Sequence, residues 1–127
     1  MIIDDPATKA ELEALSARYE AALMANDLAE LDGMFWQSPK VVRLGVGENL
    51  YGIEEIAAFR AARRGGSPAR EVIRTTITTF GTDLGVINVE FQRVGSETIG
   101  RQSQTWVRLP EGWRIVSAHV SLMSGGH

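Results

Sequence analysis

The sequence predicts an α+β domain in which one curved, mixed or antiparallel sheet wraps around three helices of the N-terminal half. Three observations carry this reading. Apolar residues before Pro39 recur at helical spacing. From Arg70 onward they alternate with period two. Short turns rich in Gly, Pro and Asp separate four long segments of this second kind, so helices come first and a strand meander follows. At 127 residues the chain has room for a single core, taken as one domain over residues 1–127 with loose ends at 1–6 and 123–127.

The first helix starts near Pro6, capped by Asp5, or by Thr8 with Glu11 three residues on. Leu12, Leu15, Tyr19, Ala22 and Leu23 form its buried stripe, and it frays at Ala25-Asn26. Asp27, followed by Glu30, caps a short second helix through Leu28, Leu31 and Met34. Beyond Pro39, Val41–Leu44 and Asn49–Tyr51 read as short strands joined by Gly45–Glu48. Ile53, Ile56, Ala57 and Phe59 mark a third helix, closed by Arg63, Arg64, Gly65 and Gly66. Strands follow at Arg70–Phe80, Leu84–Arg93, Thr98–Leu109 and Trp113–Leu122, with turns at Gly81–Asp83, Val94–Glu97 and Pro110–Gly112.

Composition excludes several functions. With 44% hydrophobic and 23% charged residues the chain is an ordinary globular sequence. No window is apolar enough for a membrane helix, and the start lacks the pattern of a secretory signal, so a cytoplasmic protein is expected. There is no Cys, and the net charge of -3 does not suit a general nucleic-acid binder. One interior His without a carboxylate pair cannot fill a metal site, and Gly45-Val46-Gly47 lacks the Lys-Ser/Thr of a phosphate loop. No metal and no cofactor is expected.

Strand alternation assigns faces, and a one-residue slip would invert them. Pairing Arg108 with Trp113 puts Gln102, Gln104 and Trp106 beside Trp113, Ile115, Ser117, His119 and Ser121. Pairing Phe80 with Gly85 adds Arg74, Thr76 and Thr78 to Ile87, Val89 and Phe91, a set placed on the same concave side. Buried Gln, His and Arg among aromatics describe a ligand pocket. The opposite face, with Val116, Ala118 and Val120 beside Arg101, Ser103 and Thr105, suits a homodimer interface.

The closing run Gly112-Trp113-Arg114-Ile115-Val116-Ser117-Ala118-His119-Val120-Ser121 resembles the last strand of SnoaL-like proteins, members of the cone-shaped nuclear transport factor 2-like superfamily that includes ketosteroid isomerase. Tyr51-Gly52-Ile53, Phe59–Arg63, Ile77–Gly81 and Gly100–Trp106 resemble more narrowly the AtzH-like (HpxZ) group, associated with oxalurate catabolism and cyanuric acid degradation alongside amidases. The resemblance implies a cone-like fold and a small-molecule pocket serving nitrogen-compound catabolism, with an amidase as a partner. It departs from ketosteroid isomerase, whose base is a carboxylate: the concave set holds none, and the early strand carries Arg43.

Two functions stay open. In one, a cofactor-free hydrolase or lyase acts on a small carboxylated urea or amide. Arg43 and Arg74 clamp the anion, Gln102 and Gln104 align the amide, and Tyr51, Trp106 and Ser121 border the ligand. His119 and Tyr19 are then the candidate catalytic residues. In the other, the same pocket is a non-catalytic binding or amidase-accessory module, and His119 is a core histidine bonded to Gln102 or Ser117. Arg60, Arg63, Arg64 and Arg70 read as a solvated helix end, with Arg60 or Arg63 within reach of the pocket mouth.

Overall fold

A computed structural model describes residues 1–123. Helix α1 spans Pro6–Ala25, α2 Leu28–Met34 and α3 Ile53–Ala62. The strands are β1 Val42–Leu44, β2 Asn49–Tyr51, β3 Arg70–Phe80, β4 Leu84–Arg93, β5 Ile99–Leu109 and β6 Gly112–Leu122. They form one open six-stranded sheet in the order β2-β1-β6-β5-β4-β3. It is antiparallel except where β1 runs parallel to β6. The expected α+β arrangement of three helices on one mixed sheet is the observed one.

Local chemistry sets the element ends. Asp5 caps α1, its Oδ2 accepting from the Thr8 backbone N–H at 3.0 Å and from the Thr8 hydroxyl at 2.7 Å. Asp5 is thus the cap, and Thr8, the alternative, lies inside the first turn as its donor. Asn26 closes the helix in the left-handed region, which Asn tolerates better than most residues. Asp27 caps α2 through the Glu30 N–H. The stripe Leu12, Tyr19, Ala22 and Leu23 lies against Ile87, Val89, Phe91, Trp106 and Ile115 on the inner sheet face, with Leu31, Met34 and Phe35 completing the core. Leu12, Phe35, Trp106 and Ile115 are wholly buried, each stabilising by about 1.5–3 kcal/mol.

The N-terminal residues are not loose. Ile3 bridges Phe80, the Asp4 N–H donates to the Thr79 carbonyl, and the Gly81 N–H donates to the Ile2 carbonyl. The expected loose tail beyond Met123 lies outside the described residues.

Register is where the structure corrects the sequence reading. Arg108 does stand opposite Trp113, and Trp106 opposite Ile115. The next pair is Thr105 with Ser117, so Val116 is an unpaired bulge residue. That one extra residue exchanges the faces of β6 beyond it. Ala118 and Val120 turn inward beside Gln104 and Gln102 and are buried, whereas Ser117, His119 and Ser121 turn outward opposite Thr105, Ser103 and Arg101. In β3, Phe80 pairs with Leu84 rather than Gly85, and Ile73 forms a second bulge. Thr75, Ile77 and Thr79 thus share the face of Val89, Ile87 and Gly85, while Arg74 stands opposite Glu90 on the outer face. The outer face therefore lacks the apolar strip on which a homodimer was expected.

Candidate functional site

Two adjoining spaces lie between the helices and the inner sheet face, and Tyr19 and Gln102 line both. The outer one is an open cleft of about 640 Å3 between α1 and β3. It is bordered by Lys9, Glu13 and Glu20 from the helix, Thr75 and Ile77 from β3, and Val89 and Gln104 on the floor. The inner one is a cavity of about 90 Å3, lined by the arginines Arg43, Arg63, Arg70 and Arg93, the rings of Phe59 and Phe91, and Glu48.

Each guanidinium is placed by its own element. Arg43 lies on β1 opposite Ala118, hence on the inner face. It is 7% exposed, and its Nη1 donates to Glu48 Oε1 at 3.1 Å while Nε has no partner in the chain. Glu48 reaches Arg43 by folding over Gly45, where a Cβ would sit 1.8 Å from Glu48 Oε1 and so displace the carboxylate from this position. Arg70 stands at the start of β3, and its side chain is almost wholly buried. Its Nε and Nη2 donate to the two Glu20 carboxylate oxygens at 3.0 and 2.7 Å, a fork geometry that fixes the side chain. The same Nη2 donates to Gln102 Oε1 at 3.1 Å, and the guanidinium lies over the Phe91 ring, 4.3 Å from its centre.

Arg63 ends α3 and lies over Phe59, with its Nε buried and unpartnered. Burial, followed by the charges of Arg43 and Arg60, holds its pKa below the ordinary arginine value. Arg60 lies behind, 3% exposed, its Nε 3.2 Å from Asp32 Oδ1 and its two terminal nitrogens without partners. Glu20 and Glu48 each pair with one arginine, while neither Arg63 nor Arg93 forms an ion pair among the described residues. Arg63 and Arg93 are half-buried, so water screens part of their uncompensated charge, and a bound anion relieves the rest. The chemistry of these walls suits a small anion.

Of the residues expected at a site, Tyr19, Arg43 and Gln102 line the inner cavity, and Gln104 lies on the cleft floor. Trp106 is 0% exposed in the core, where its Nε1–H donates to Gln104 Oε1, so it positions a lining residue rather than bordering a ligand. Arg74 only borders the outer cleft, exposed on β3, and is not among the residues of the inner cavity. Tyr51 is 57% exposed on β2 at the far edge of the sheet. His119 and Ser121 are on the outer face, because of the Val116 bulge, so His119 bonds neither Gln102 nor a cavity ligand. Arg63, which the sequence reading put within reach of the pocket mouth, lines the inner cavity, as does Arg70, expected only as a solvated helix-end charge; Arg93 on the cavity wall and Glu20 on the cleft wall are not singled out by sequence reasoning. The flanking rings Phe59 and Phe91, which cover Arg63 and Arg70, were the available signal.

Among the described residues, no cluster of three or more His, Asp or Glu could hold a metal ion, and no helix is long and apolar enough to cross a membrane.

Comparison with known proteins agrees with this architecture. A protein of unknown function from Pectobacterium atrosepticum is 56% identical over 96% of this chain and 95% of its own, with a TM-score of 0.93. A cystatin-like fold protein from Burkholderia xenovorans is 41% identical over 98% of both chains, also at 0.93. A nuclear transport factor 2-like superfamily protein from Salmonella enterica, 23% identical over 95% of this chain and 94% of its own with a TM-score of 0.77, shares the fold. Among curated proteins nothing matches. The AtzH-like family model matches residues 1–126, and the chain belongs to the AtzH-like family.

Proposed function

We infer that this domain binds a small carboxylated metabolite of the urea or amide type, the carboxylate seated among Arg43, Arg63 and Arg70. The observation that carries the reading is the inner cavity itself, about 90 Å3 and walled by four arginines of which two have no acidic partner. A volume of that size takes a planar ion of a few heavy atoms, and guanidinium groups match a carboxylate better than any other common anion except phosphate. The family's association with oxalurate catabolism points to the same chemistry, because oxalurate joins a carboxylate to an acyl urea.

Binding is favoured over turnover by the state of the acid–base groups. Glu20 and Glu48 are tied to arginines, and His119 faces away. Tyr19, 4% exposed and lining both spaces, is the proton carrier of the inner cavity that no ion pair engages, so hydrolase or lyase chemistry at the carboxylate end runs through it. A module serving an amidase is consistent with an inner cavity whose carboxylates are held by arginines.

Titration calorimetry with oxalurate tests the proposal. Oxalurate is expected to bind while its neutral amide does not. Arg63→Gln should weaken binding at least tenfold, and Arg74→Gln should leave it within about twofold. Equal binding of the acid and the neutral amide, or no binding of the acid, overturns the reading. Oxalurate consumption by wild-type protein that stops in Tyr19→Phe would convert the binding site into an active site.

A further inference from the structure

We propose that Gln104 is a specificity-determining residue that selects, in the ligand, a carbonyl-type acceptor oxygen about 7 Å from the carboxylate. The inference rests on the anion-binding reading above and deepens it.

The chemistry of two neighbours decides which way the glutamine amides point. An indole N–H can only donate, and so can a guanidinium. Trp106 Nε1 stands 3.0 Å from the Gln104 side chain, and Arg70 Nη2 stands 3.1 Å from that of Gln102. Each amide must therefore present its oxygen to its neighbour, which leaves both NH2 groups directed elsewhere. A flip of either would set donor against donor. Trp106 is 0% exposed and Arg70 is forked onto Glu20, so neither lock is free to yield.

Gln104 Nε2 is the consequence. It is buried and has no hydrogen-bond partner in the chain, on a residue 2% exposed that forms the floor of the outer cleft beside Val89. A donor held out of water with nothing to bond is costly in the free protein, and a ligand oxygen that reaches it recovers that cost. A ligand N–H or NH2 in the same place meets another donor and is rejected.

Gln102 and Gln104 are two residues apart on the same strand face, so their attachment points are separated by about 7 Å. Arg70 marks the Gln102 end as the carboxylate end. The selected ligand thus has its carboxylate at Arg70 and Arg63, passes Tyr19, and offers a C=O rather than an NH2 to Gln104.

Four probes test this by calorimetry: 4-oxopentanoate and 5-oxohexanoate, against pentanoate and hexanoate, which differ only by the carbonyl. Wild-type protein is expected to bind at least one keto acid about tenfold or more tightly than the alkanoate of the same length. Gln104→Met should erase that preference while leaving alkanoate affinity within about threefold. Trp106→Phe, which removes the lock and lets the amide turn over, should reduce it as well. The wild-type comparison stands even where a variant fails to fold. Equal affinity for keto acid and alkanoate, or a preference that survives in Gln104→Met, overturns the selection by Gln104. Failure of all four probes in protein that binds oxalurate does so too and leaves the anion site standing; failure of oxalurate as well overturns both.

Discussion

Gly100 shows how a site can depend on a residue that touches no ligand. It stands on β5 opposite Phe91, and a Cβ there would lie 2.1 Å from the Phe91 ring. The missing side chain lets the ring lie flat beneath the Arg70 guanidinium, so one glycine sets the depth of the inner cavity. Gly100→Ala is expected to lower stability in urea by about 1–3 kcal/mol, the usual cost of overpacking, and to weaken carboxylate binding by displacing Arg70. Gly33 is the contrast. It lies in α2, and a Cβ there would meet nothing within 4 Å, so Gly33→Ala should instead stabilise, by up to about 0.5–1 kcal/mol. Equal effects of the two substitutions would show that the Phe91 contact does not limit the site. At this scale Arg43, Tyr19, Gln102 and Gln104 were legible in the sequence, because each sits where alternation or helical spacing directs it inward. Arg63 was legible only as one of two arginines within reach of the pocket mouth, and Arg70 was not, because a basic run at a helix end beside Gly65-Gly66 ordinarily faces water.

At the scale of elements, the boundaries were legible and the faces were not. Asp5, Asp27, Gly81, Gly95 and Gly112 punctuate the chain through capping and positive φ, and these effects are local. Face assignment is cumulative, so a single bulge reverses everything beyond it. Both bulges occur at adjacent β-branched residues, Val72-Ile73 and Ile115-Val116, where strict alternation already fails. Past Val116 the order Ser117, Ala118, His119, Val120, Ser121 is polar-out and apolar-in without further assumption, and that pattern was the signal of the flip. The bulge makes a sharp prediction about His119, the only histidine among the described residues. His119→Ala is expected to change stability by no more than about 0.5 kcal/mol and to leave oxalurate affinity unchanged, because the ring is exposed on the outer face. A loss of binding in this variant would place His119 back at the ligand.

At the scale of the whole molecule, α1 packs its apolar stripe on the sheet and is tied to it by a carboxylate near each end. Near its start, Glu11 Oε2 accepts from Trp113 Nε1 and from Arg108 Nη2, both at 2.8 Å; near its end, Glu20 is forked by Arg70. The outer cleft lies along this span, bordered by Glu13 and Glu20 of the helix and by Thr75 and Ile77 of β3. The Glu11 clamp can be measured through pH. The hydrogen bond from Trp113, then the bond from Arg108, holds the Glu11 carboxyl below its ordinary value of 4.5. A carboxyl depressed in the folded protein binds its proton more tightly when unfolded, so its contribution is complete above the unfolded value and is lost as pH falls through the folded one. Glu11→Gln keeps an acceptor for Trp113 but cannot titrate. Wild type should therefore exceed the variant at neutral pH, by less than about 1 kcal/mol because the group is exposed and screened. The difference should shrink below pH 4.5 and fade in molar salt, where the Debye length is about 3 Å. Melting curves of the two proteins from about pH 3 to about pH 7, a span that brackets the carboxylate range, decide the matter. A constant offset would mean that the indole contact alone docks the helix, and that the charge on Glu11 contributes nothing to that docking.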